Sequence, residues 1–456
     1  MTDFRDLFNQ RPLDAEVIAS AAASMMQGRF YAHAFHLLHS ALTCLDAHHN
    51  ESLRLQYGLV HYVLGQATGK KSWHDKACAI LEDCLKDFPK STLANKFLGV
   101  VLVDSGKWRE AFPLLKTSLD ADPLQVDAWL AISWCHFAAG EYAEGWDAHE
   151  RFLEERHQAV NGTFPYWKGE DVRFSAAGKG GIGDEIMFAS MVPDAARRWS
   201  FELVCDPRLV NIFKRSFPNV EVIARSEGQP GRQVVIVDGV TNGGEVPKAA
   251  CFTSSFGHLL RRKAADFPCV PYLIPDPERV EGYKKQLAAL PGKKVGIAWA
   301  GGPALDWHRR SLEIEDIVRL CSLPDVSWVC LEYLSANEEL AQLKERGVEV
   351  HDFPARLAGV DIDDTAALVM ALDGVVTVQT AMAHLCGALG KRAHVLLPSV
   401  PRWWHGILGR RHPWYGSLVL HRQAHKHVAF SNELVADWPI DNVIRELSED
   451  LCLSSR

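Results

Sequence analysis

The sequence predicts two regions of different fold class, a solenoid of paired helices over residues 1–160 and an α/β region over residues 161–456. The helical region shows a period of about 34 residues. The α/β region shows short apolar runs of strand length that alternate with helical stretches. At 456 residues the chain is also longer than one hydrophobic core usually organises.

Composition and charge exclude several classes of protein. With 49 Lys and Arg against 57 Asp and Glu, the net charge of −8 disfavours general binding to nucleic acid or anionic membranes. No run approaches the roughly 18 uncharged apolar residues of a membrane span, and the acidic start is unlike a signal peptide. The 11 cysteines are scattered singly, which argues against a zinc ribbon or a disulfide framework. We expect a cytoplasmic protein with reduced thiols, no membrane span and no nucleic-acid partner.

The period of the helical region is visible in pairs of equivalent residues. Pro89 and Pro123 are 34 residues apart, and so are Gly106 and Gly140. This period is typical of tetratricopeptide repeats, each a pair of antiparallel helices, and we predict three to four of them. Gly99 stands where the first helix of a pair must let the second approach closely.

The repeats indicate a protein or peptide partner, because the groove of a short solenoid ordinarily holds a peptide. Anchors for it can be drawn from four tryptophans, although several of these rings should fill the core: Trp73, Trp108, Trp129 and Trp134. His33, His36 and His39 are three residues apart on one helix face. No carboxylate or cysteine at matching spacing completes a metal site there, so packing is favoured.

Eight strands are predicted in the α/β region, at RFSAAG, FELVC, QVVIVDGV, KVGIAWAG, VSWVCLEY, GVVTV, AHVLLPS and LVLHR. Their alternation with helices predicts doubly wound parallel sheets. A turn-rich break at residues 289–296 divides the region into two halves.

A glycine-rich turn follows the first of these strands. Gly178, Gly180 and Gly183 form G-x-G-x-x-G, and Asp206 ends the next strand, as in dinucleotide-binding sites. Such glycines let the backbone approach a ligand, and the helix that begins at Asp184 favours anions at its N-terminus. The alternative is a plain tight turn in which Asp184 caps the helix.

A basic loop follows the strand KVGIAWAG. It holds Asp306, His308, Arg309 and Arg310 before a helix that starts at Ser311. Loops after the carboxyl ends of parallel strands line the ligand crevice, where two arginines can grip a diphosphate. The alternative is a solvated charged loop.

An acid-free block of 59 residues from Gly374 to Asn432 is the most informative feature of the chain. It carries seven Lys and Arg and seven His, which predicts a positive field for an anionic ligand. Its first strand ends at Gln379 and Thr380, and the helix that follows can take phosphate at its N-terminus. For His384 in that helix, a buried structural role is as well supported as a ligand contact.

Aromatic rings stand among the basic residues of this block. They are Trp403, Trp404, Trp414 and Tyr415. Such rings can stack on a nucleobase, so the block predicts a nucleotide ligand.

These motifs together resemble a known family. GGIGDEIMFA, KVGIAWAGGP…RRSL, the segment T-x-x-x-H-x-x-G-A-x-G and LLP…WW…LGR…PWYGSLVLHRQ are similar to those of the heptosyltransferase-like glycosyltransferases, glycosyltransferase family nine. The whole chain resembles bacterial members in which tetratricopeptide repeats precede the catalytic region. The resemblance implies a GT-B fold of two Rossmann-like halves and metal-independent sugar transfer with inversion. It places an acceptor-side half at 161–290, a nucleotide-sugar donor half at 291–430 and a C-terminal helix at 431–456.

The resemblance also implies roles for individual residues. Asp184 falls on the catalytic base, and Arg310 falls on the basic position that faces the leaving diphosphate. The implied donor-binding residues are Gly181, Gly183, Trp299, Gly301, Arg309, Ser311, Gln379, Thr380, Ala381, His384, Arg410 and Trp414. The family usually has Asp where this chain has Gln379, which puts a heptose donor in doubt and leaves room for another, such as an acidic sugar.

The leading expectation is an inverting glycosyltransferase that needs no metal or cofactor. It would move a sugar from a nucleotide-sugar to a hydroxyl of a protein recruited by the repeats, and related repeat-bearing transferases modify flagellins or other proteins. One alternative is a non-catalytic scaffold with a degenerate transferase domain, for which Gln379 is the main argument. Another is an NAD-dependent oxidoreductase, which rests on the glycine fingerprint alone.

Overall fold

The chain divides into two compact units, Met1–Ala139 and Gly140–Arg456. The computed structural model describes residues 15–44, 50–160, 164–178, 180–225, 247–302, 305–332, 336–353, 361–427 and 434–452. The division falls before the boundary at residue 160 that the repeat period predicts. The helix Tyr142–Val160 packs against the helix Phe256–Leu260 and so belongs to the second unit.

The first unit consists of helices that pack in consecutive pairs, as in tetratricopeptide repeats. They are α1 (Ala15–Gln27), α2 (Tyr31–Cys44), α3 (Glu51–Thr68), α4 (Lys71–Asp87), α5 (Thr92–Asp104), α6 (Trp108–Ala121) and α7 (Val126–Ala139). Gly106 and Gly140 end equivalent helices with φ of +78° and +80°, a conformation that favours glycine. The predicted 34-residue spacing of these two glycines therefore marks the same turn in successive pairs.

Close approach of paired helices depends on small residues. A Cβ added to Gly99 of α5 would lie 2.6 Å from Cγ of Leu115 on α6, and one added to Gly58 of α3 would lie 2.8 Å from Cγ of Leu81 on α4. The predicted role of Gly99 at the helix crossing is confirmed. Glycine is needed here because a side chain would push the two helices apart.

Gly99→Ala should therefore destabilise the first unit by about 1–3 kcal/mol, the usual cost of overpacking. The matched control is Gly282→Ala in another helix, where an added Cβ meets nothing within 4 Å. That change should stabilise by about 1 kcal/mol, because alanine is the better helix former. Thermal unfolding followed by circular dichroism measures both changes. An undiminished midpoint in Gly99→Ala would show that α5 and α6 separate at little cost.

The second unit contains two parallel sheets. The first has strand order β3-β2-β1-β4 and the second β10-β9-β8-β5-β6-β7. The strands are β1 (Phe174–Ala177), β2 (Phe201–Cys205), β3 (Glu221–Ala224), β4 (Ala249–Phe252), β5 (Lys293–Ala298), β6 (Val326–Cys330), β7 (Val350–His351), β8 (Gly374–Val378), β9 (Ala393–Leu397) and β10 (Leu418–Arg422). Strands β1, β2, β4, β8 and β9 are buried throughout, as in sheets covered on both faces.

Helices connect and cover these strands. They are α8 (Tyr142–Val160), α9 (Ile182–Ala189), α10 (Val192–Ala196), α11 (Val210–Ser216), α12 (Phe256–Leu260), α13 (Pro277–Leu287), α14 (Ile314–Cys321), α15 (Asn337–Glu345), α16 (Ile362–Ala371), α17 (Ala381–Leu389) and α18 (Ile440–Asp450). No described helix is both long and apolar enough to cross a membrane. The ten cysteines whose side chains are described are free thiols.

The described elements and the sequence predictions differ at several points. The strands β3, β4 and β7 were not predicted, and the predicted strand QVVIVDGV lies outside the described residues. The predicted C-terminal helix is preceded by a strand, β12 (Leu434–Asp437), which pairs with β11 (Ala424–His427) in an antiparallel ribbon. The helix predicted at Ser311 begins at Ile314. A 3₁₀ turn, Trp307–Arg310, precedes it, so the basic residues lie in a compact turn.

Helix α8 is anchored to the second unit by Trp146, which is fully buried. A Cβ added to Gly257 of α12 would lie 2.5 Å from its indole. The ring also packs edge-on against Trp403 with a centroid separation of 5.5 Å. An uncovered helix could not bury such a ring, so α8 is part of this core.

Candidate functional site

The predicted motifs follow the carboxyl ends of strands in both sheets. The glycine-rich turn follows β1, the basic turn follows β5, Gln379 follows β8, and Arg402 stands in the loop after β9. Parallel strands direct the loops at their carboxyl ends to one edge, where such sheets bind ligands. The contacts among these loops define the site.

Helices α9 and α17 meet at Gly183. A Cβ added there would lie 3.0 Å from Cα of Ala381 and 3.2 Å from Cδ2 of His384. Only glycine allows this approach of the two backbones. The contact brings the turn after β1 beside the helix after β8, so the first and third motifs of the sequence form one site.

Asp184 lies in the first turn of α9 and is half-buried. Its Oδ2 accepts a hydrogen bond from the backbone N of Gly181 at 2.9 Å. Burial raises the pKa of Asp184, while this hydrogen bond and the positive charge of Arg402 act in the opposite direction. Asp184 thus caps the turn, as one alternative holds, and is also a carboxylate with a perturbed pKa near an arginine, as expected of a general base.

Gly178, the first glycine of the turn, is required by the packing around it. A Cβ added to Gly178 would lie 2.3 Å from Oε2 of Glu185, a buried carboxylate that also accepts the backbone N–H of Asp206 at 2.8 Å. The carboxylate of Asp206 is itself held by Arg208 Nε at 2.8 Å and Nη2 at 2.7 Å. Because Glu185 fills the space beneath Gly178 and Asp206 is engaged, the G-x-G-x-x-G pattern here favours a packing role over a dinucleotide site.

Arg310 and Arg402 are both bound to Gln379. The Nη1 of Arg310 donates to the backbone O of Gln379 at 3.1 Å, and the backbone N of Arg402 donates to its Oε1 at 3.1 Å. Asp306 bridges the same two guanidinium groups, with Oδ1 3.2 Å from Arg310 and Oδ2 3.0 Å from Arg402. The second and third motifs are therefore joined in a network of two arginines, one aspartate and one amide.

One hydrogen-bond donor of Arg310 is not used within this network. Its Nε is buried and has no hydrogen-bond partner, a condition that costs about 1–3 kcal/mol unless a ligand satisfies it. Burial lowers the pKa of Arg310. The paired charge of Asp306 opposes this shift, and the charges of Arg402 and Arg309 act in the same direction as burial. A bound anion would relieve the repulsion among these guanidinium groups.

The remaining predicted residues of the basic turn shape it. The backbone N of Gly301 donates to Oγ of Ser311 at 2.9 Å, and Oγ of Ser311 donates to the backbone O of Trp307 at 2.8 Å. The backbone N of Arg309 donates to Asp306 O. Trp299, a predicted donor-binding residue, is 3% exposed, and its side chain belongs to the core of the second sheet.

The turn after β8 presents the N-terminus of α17. Thr380 is the N-cap, and its Oγ1 accepts the backbone N–H of Met382 at 3.3 Å. His384 is buried one turn later, with Nδ1 3.2 Å from the hydroxyl of Tyr415. Burial lowers the pKa of His384 to about 3, so its imidazole is neutral at physiological pH. The ring of His384 is buried in the core, as a structural role requires, and it also lies beside Gly183 of the candidate site, where a ligand contact was expected.

Most of the predicted stacking rings are part of the core. Trp403, Trp414 and Tyr415 are 7%, 3% and 1% exposed. Trp414 packs against Phe267 with a centroid separation of 4.8 Å, so its ring is a core residue in this structure. Trp404 is half-buried, 6.0 Å from the ring of His384, and its Nε1 is buried without a hydrogen-bond partner. Of these four rings, Trp404 remains as the candidate beside the site.

Arg410 is held away from this network. Its Nη2 pairs with Oε2 of Glu446 on α18. Arg402, which was not among the predicted site residues, contacts Asp306 and Gln379 instead. The acid-free block indicated that some of its basic residues bind an anion, but seven were available and only the folded loops distinguish them.

A curated relative and several solved structures are similar to parts of this chain. No known family model matches it. It is 30% identical over 376 residues to Protein FlbA of Caulobacter vibrioides, an alignment that covers 79% of this chain and 62% of that protein. The chain therefore spans less than two thirds of the length of this relative.

Similar solved structures match the helical third of the chain. A thermophilic tetratricopeptide protein of Thermus thermophilus is 15% identical, with a TM-score of 0.29, and the match covers 33% of this chain and 79% of that one. YrrB, described as a tetratricopeptide protein with an unusual peptide-binding site, is 18% identical, with a TM-score of 0.27, over 34% of this chain and 74% of its own.

Proposed function

We propose that this chain is an inverting, metal-independent glycosyltransferase of GT-B type. In this proposal the first sheet carries the acceptor side and the second sheet binds a nucleotide-sugar donor. The sugar passes to an acceptor hydroxyl, and the nucleoside diphosphate leaves. The observation that carries the proposal is the network of Arg310, Arg402 and Gln379 in the loops after β5, β8 and β9, with Asp184 after β1 near enough for the charge of Arg402 to act on its pKa.

The chemistry of transfer matches the groups in this cluster. An acceptor hydroxyl must lose its proton as the new C–O bond forms, and a carboxylate with a raised pKa, such as Asp184, suits that task. Negative charge grows on the leaving diphosphate as the old C–O bond breaks. The guanidinium groups of Arg310 and Arg402, both held by Asp306, together with the N-terminus of α17, supply fixed positive charge for it.

The acceptor in this proposal is a protein recruited by the helix pairs. Three half-buried aromatic side chains of the first unit and the buried His61 form a cluster in which Phe35 is central. Its ring is 5.8 Å from that of Tyr57, 5.3 Å from that of His61 and 5.5 Å from that of Trp73. Aromatic side chains on paired helices suit binding of a peptide segment. Tethering there would raise the concentration of the acceptor hydroxyl near the catalytic cluster.

A thermal-shift screen of nucleotides and nucleotide-sugars tests the donor part of the proposal. A ligand specific for the folded state at 100 times its Kd stabilises by about 2.7 kcal/mol, which is easily measured. We expect nucleoside diphosphates and at least one nucleotide-sugar to raise the unfolding midpoint. Arg310→Gln and Arg402→Gln should each weaken that binding by about 1.5–3 kcal/mol, the value of a charged hydrogen bond.

The matched control is Arg346→Gln, since Arg346 is an exposed arginine of the same unit that pairs with Glu315. It should respond like the wild type. A midpoint raised by NAD(H) alone would contradict the proposal and favour an oxidoreductase. A chain that responds to no nucleotide would favour the scaffold alternative, for which Gln379 acts only as a buried link between two loops.

A further inference from the structure

Two histidines that the proposed function does not use lie together on the second sheet. His394 of β9 is fully buried and His421 of β10 is 5% exposed. In the parallel register His394 pairs with Val419 and Leu396 pairs with His421. Because side chains two residues apart share a face, the two imidazoles are diagonal neighbours on the same face of the sheet. Their Nδ1 (His394) and Nε2 (His421) atoms are 2.9 Å apart.

Helix α18 covers this pair with two carboxylates. Glu446 and Asp450 are four residues apart and therefore lie on one face of the helix. Oε2 of Glu446 is 3.8 Å from Nε2 of His421, and Oδ2 of Asp450 is 3.1 Å from Nε2 of His394. The three atoms contributed by His394, His421 and Glu446 all lie within 4.8 Å of one another.

The hydrogen bonds indicate which ring nitrogen of His394 carries the proton. The ionised carboxylate of Asp450, which is paired with Arg392, accepts a hydrogen bond only, so Nε2 of His394 carries the proton. The Nδ1 of His394 is then unprotonated, and its lone pair is directed at Nε2 of His421. A histidine held by a carboxylate on one nitrogen, with the other nitrogen free to coordinate, is the usual arrangement of a metal-ligating histidine.

We propose that His394, His421 and Glu446 form a binding site for a divalent transition-metal ion such as Zn²⁺, with Asp450 orienting His394. Metal–ligand bonds of about 2.0–2.2 Å in a tetrahedron place neighbouring donor atoms about 3.3 Å apart. The separations of 2.9 Å and 3.8 Å in this cluster lie on either side of that value. The ion replaces the hydrogen bond between the imidazoles, and the proton of His421 moves to its Nδ1. Water completes the fourth position.

Arg410 competes with the ion. Its guanidinium pairs with the same Oε2 of Glu446, and its side chain is 60% exposed. Coordination by Glu446 therefore requires this guanidinium to swing into solvent. The bound ion would link α18 to β9 and β10, which is a structural role. The site shares no residue with the cluster around Asp184, so a test of metal binding is independent of a test of the proposed glycosyl transfer.

The test uses the full chain after treatment with a chelator. Zn²⁺ alone is titrated calorimetrically, and Co²⁺ serves as a spectroscopic probe of tetrahedral coordination. We expect one equivalent to bind. His421→Gln and Glu446→Gln should each weaken binding at least about tenfold, and Asp450→Asn about 10–100-fold. Arg410→Gln should tighten binding severalfold, because it removes the competitor of the ion, whereas a purely structural role of Arg410 would not affect Zn²⁺ affinity.

His36→Asn is the matched control. The histidines His33, His36 and His39 of α2 are exposed, contrary to the packing role expected from the sequence, and offer another source of metal binding. The His36→Asn variant should bind Zn²⁺ as the wild type does. If His421→Gln fails to fold, Glu446→Gln carries the test, because Glu446 lies at the rim of the cluster. Wild-type affinity in Glu446→Gln, loss of binding in His36→Asn, or no saturable binding by the wild type would each overturn the proposal.

Discussion

Replacing Asp184 by Asn should lower turnover by about two to four powers of ten while nucleotide binding stays unchanged, the usual effect of removing a general base. The side-chain oxygen of Asn can still accept the N–H of Gly181, so the turn before α9 should persist. Turnover is measured as release of nucleoside diphosphate from the donor found in the ligand screen, with water in place of the acceptor.

The pH profile gives a second readout for Asp184. A base works when it is deprotonated, so wild-type turnover should rise with pH through the pKa of Asp184. Burial raises that pKa above the usual range of aspartate, despite the hydrogen bond from Gly181 and the charge of Arg402, which shifts the rising limb to higher pH. In Asp184→Asn the limb should vanish.

Asp171→Asn is the matched control, since Asp171 is an exposed carboxylate of the same unit. It should keep both the wild-type rate and the rising limb. Full turnover in Asp184→Asn would remove Asp184 from the chemistry and leave the cluster as a nucleotide site alone.

Trp146→Ala should destabilise the second unit by about 3–5 kcal/mol, the cost of truncating a buried aromatic side chain. The indole is fully buried and lies against Gly257, and it contacts Trp403 and Trp414 with centroid separations of 5.5 Å and 6.3 Å. Neighbouring backbone and rings cannot collapse into the cavity, because they are themselves held in the core. Denaturant unfolding followed by tryptophan fluorescence and circular dichroism measures the loss.

Trp129→Ala is the comparison in the first unit. That ring is half-buried and its Nε1 donates to the backbone O of Pro123 at 2.8 Å, so its truncation should cost less. The same reasoning applies to truncated chains. One that starts at Gly140 keeps Trp146 and should fold, whereas one that starts at Asn161 loses α8 and should not. A loss of less than about 1 kcal/mol in Trp146→Ala would show that α8 is not needed by this core.

Some features of the fold follow from local sequence. The 34-residue spacing of Gly106 and Gly140 corresponds to two equivalent left-handed turns, because a helix that ends in this conformation needs glycine wherever the pair repeats. Apolar runs at β1, β2, β5, β8 and β9 predict strands because the sheet buries both faces of these segments. Each turn or strand signal lies within a few consecutive residues, so it can be recognised without knowledge of the fold.

The sequence predicted which loops form the candidate site, but it did not predict every residue of the site. Topology indicated the loops that hold Asp184, Arg310 and Gln379, since the carboxyl ends of parallel strands lie at one edge of a sheet, whereas the resemblance to a family singled out these residues within the loops. The choice of Arg402 over Arg410 depends on Asp306 and Glu446, which are remote in sequence from both. The charge composition of the block predicts a positive field but not which of its guanidinium groups contributes to the candidate site.

The helix pairs and most of the buried strands could be predicted from the sequence, because each depends on short-range periodicity or on a single glycine. The order of the strands within each sheet, the place of α8 in the α/β unit, the burial of Trp414 and the position of His394 and His421 beside Glu446 could be seen only in the folded chain. Each of these outcomes depends on contacts between segments far apart in the chain. Burial and the pairing of charges are properties of such contacts, and no local pattern encodes them.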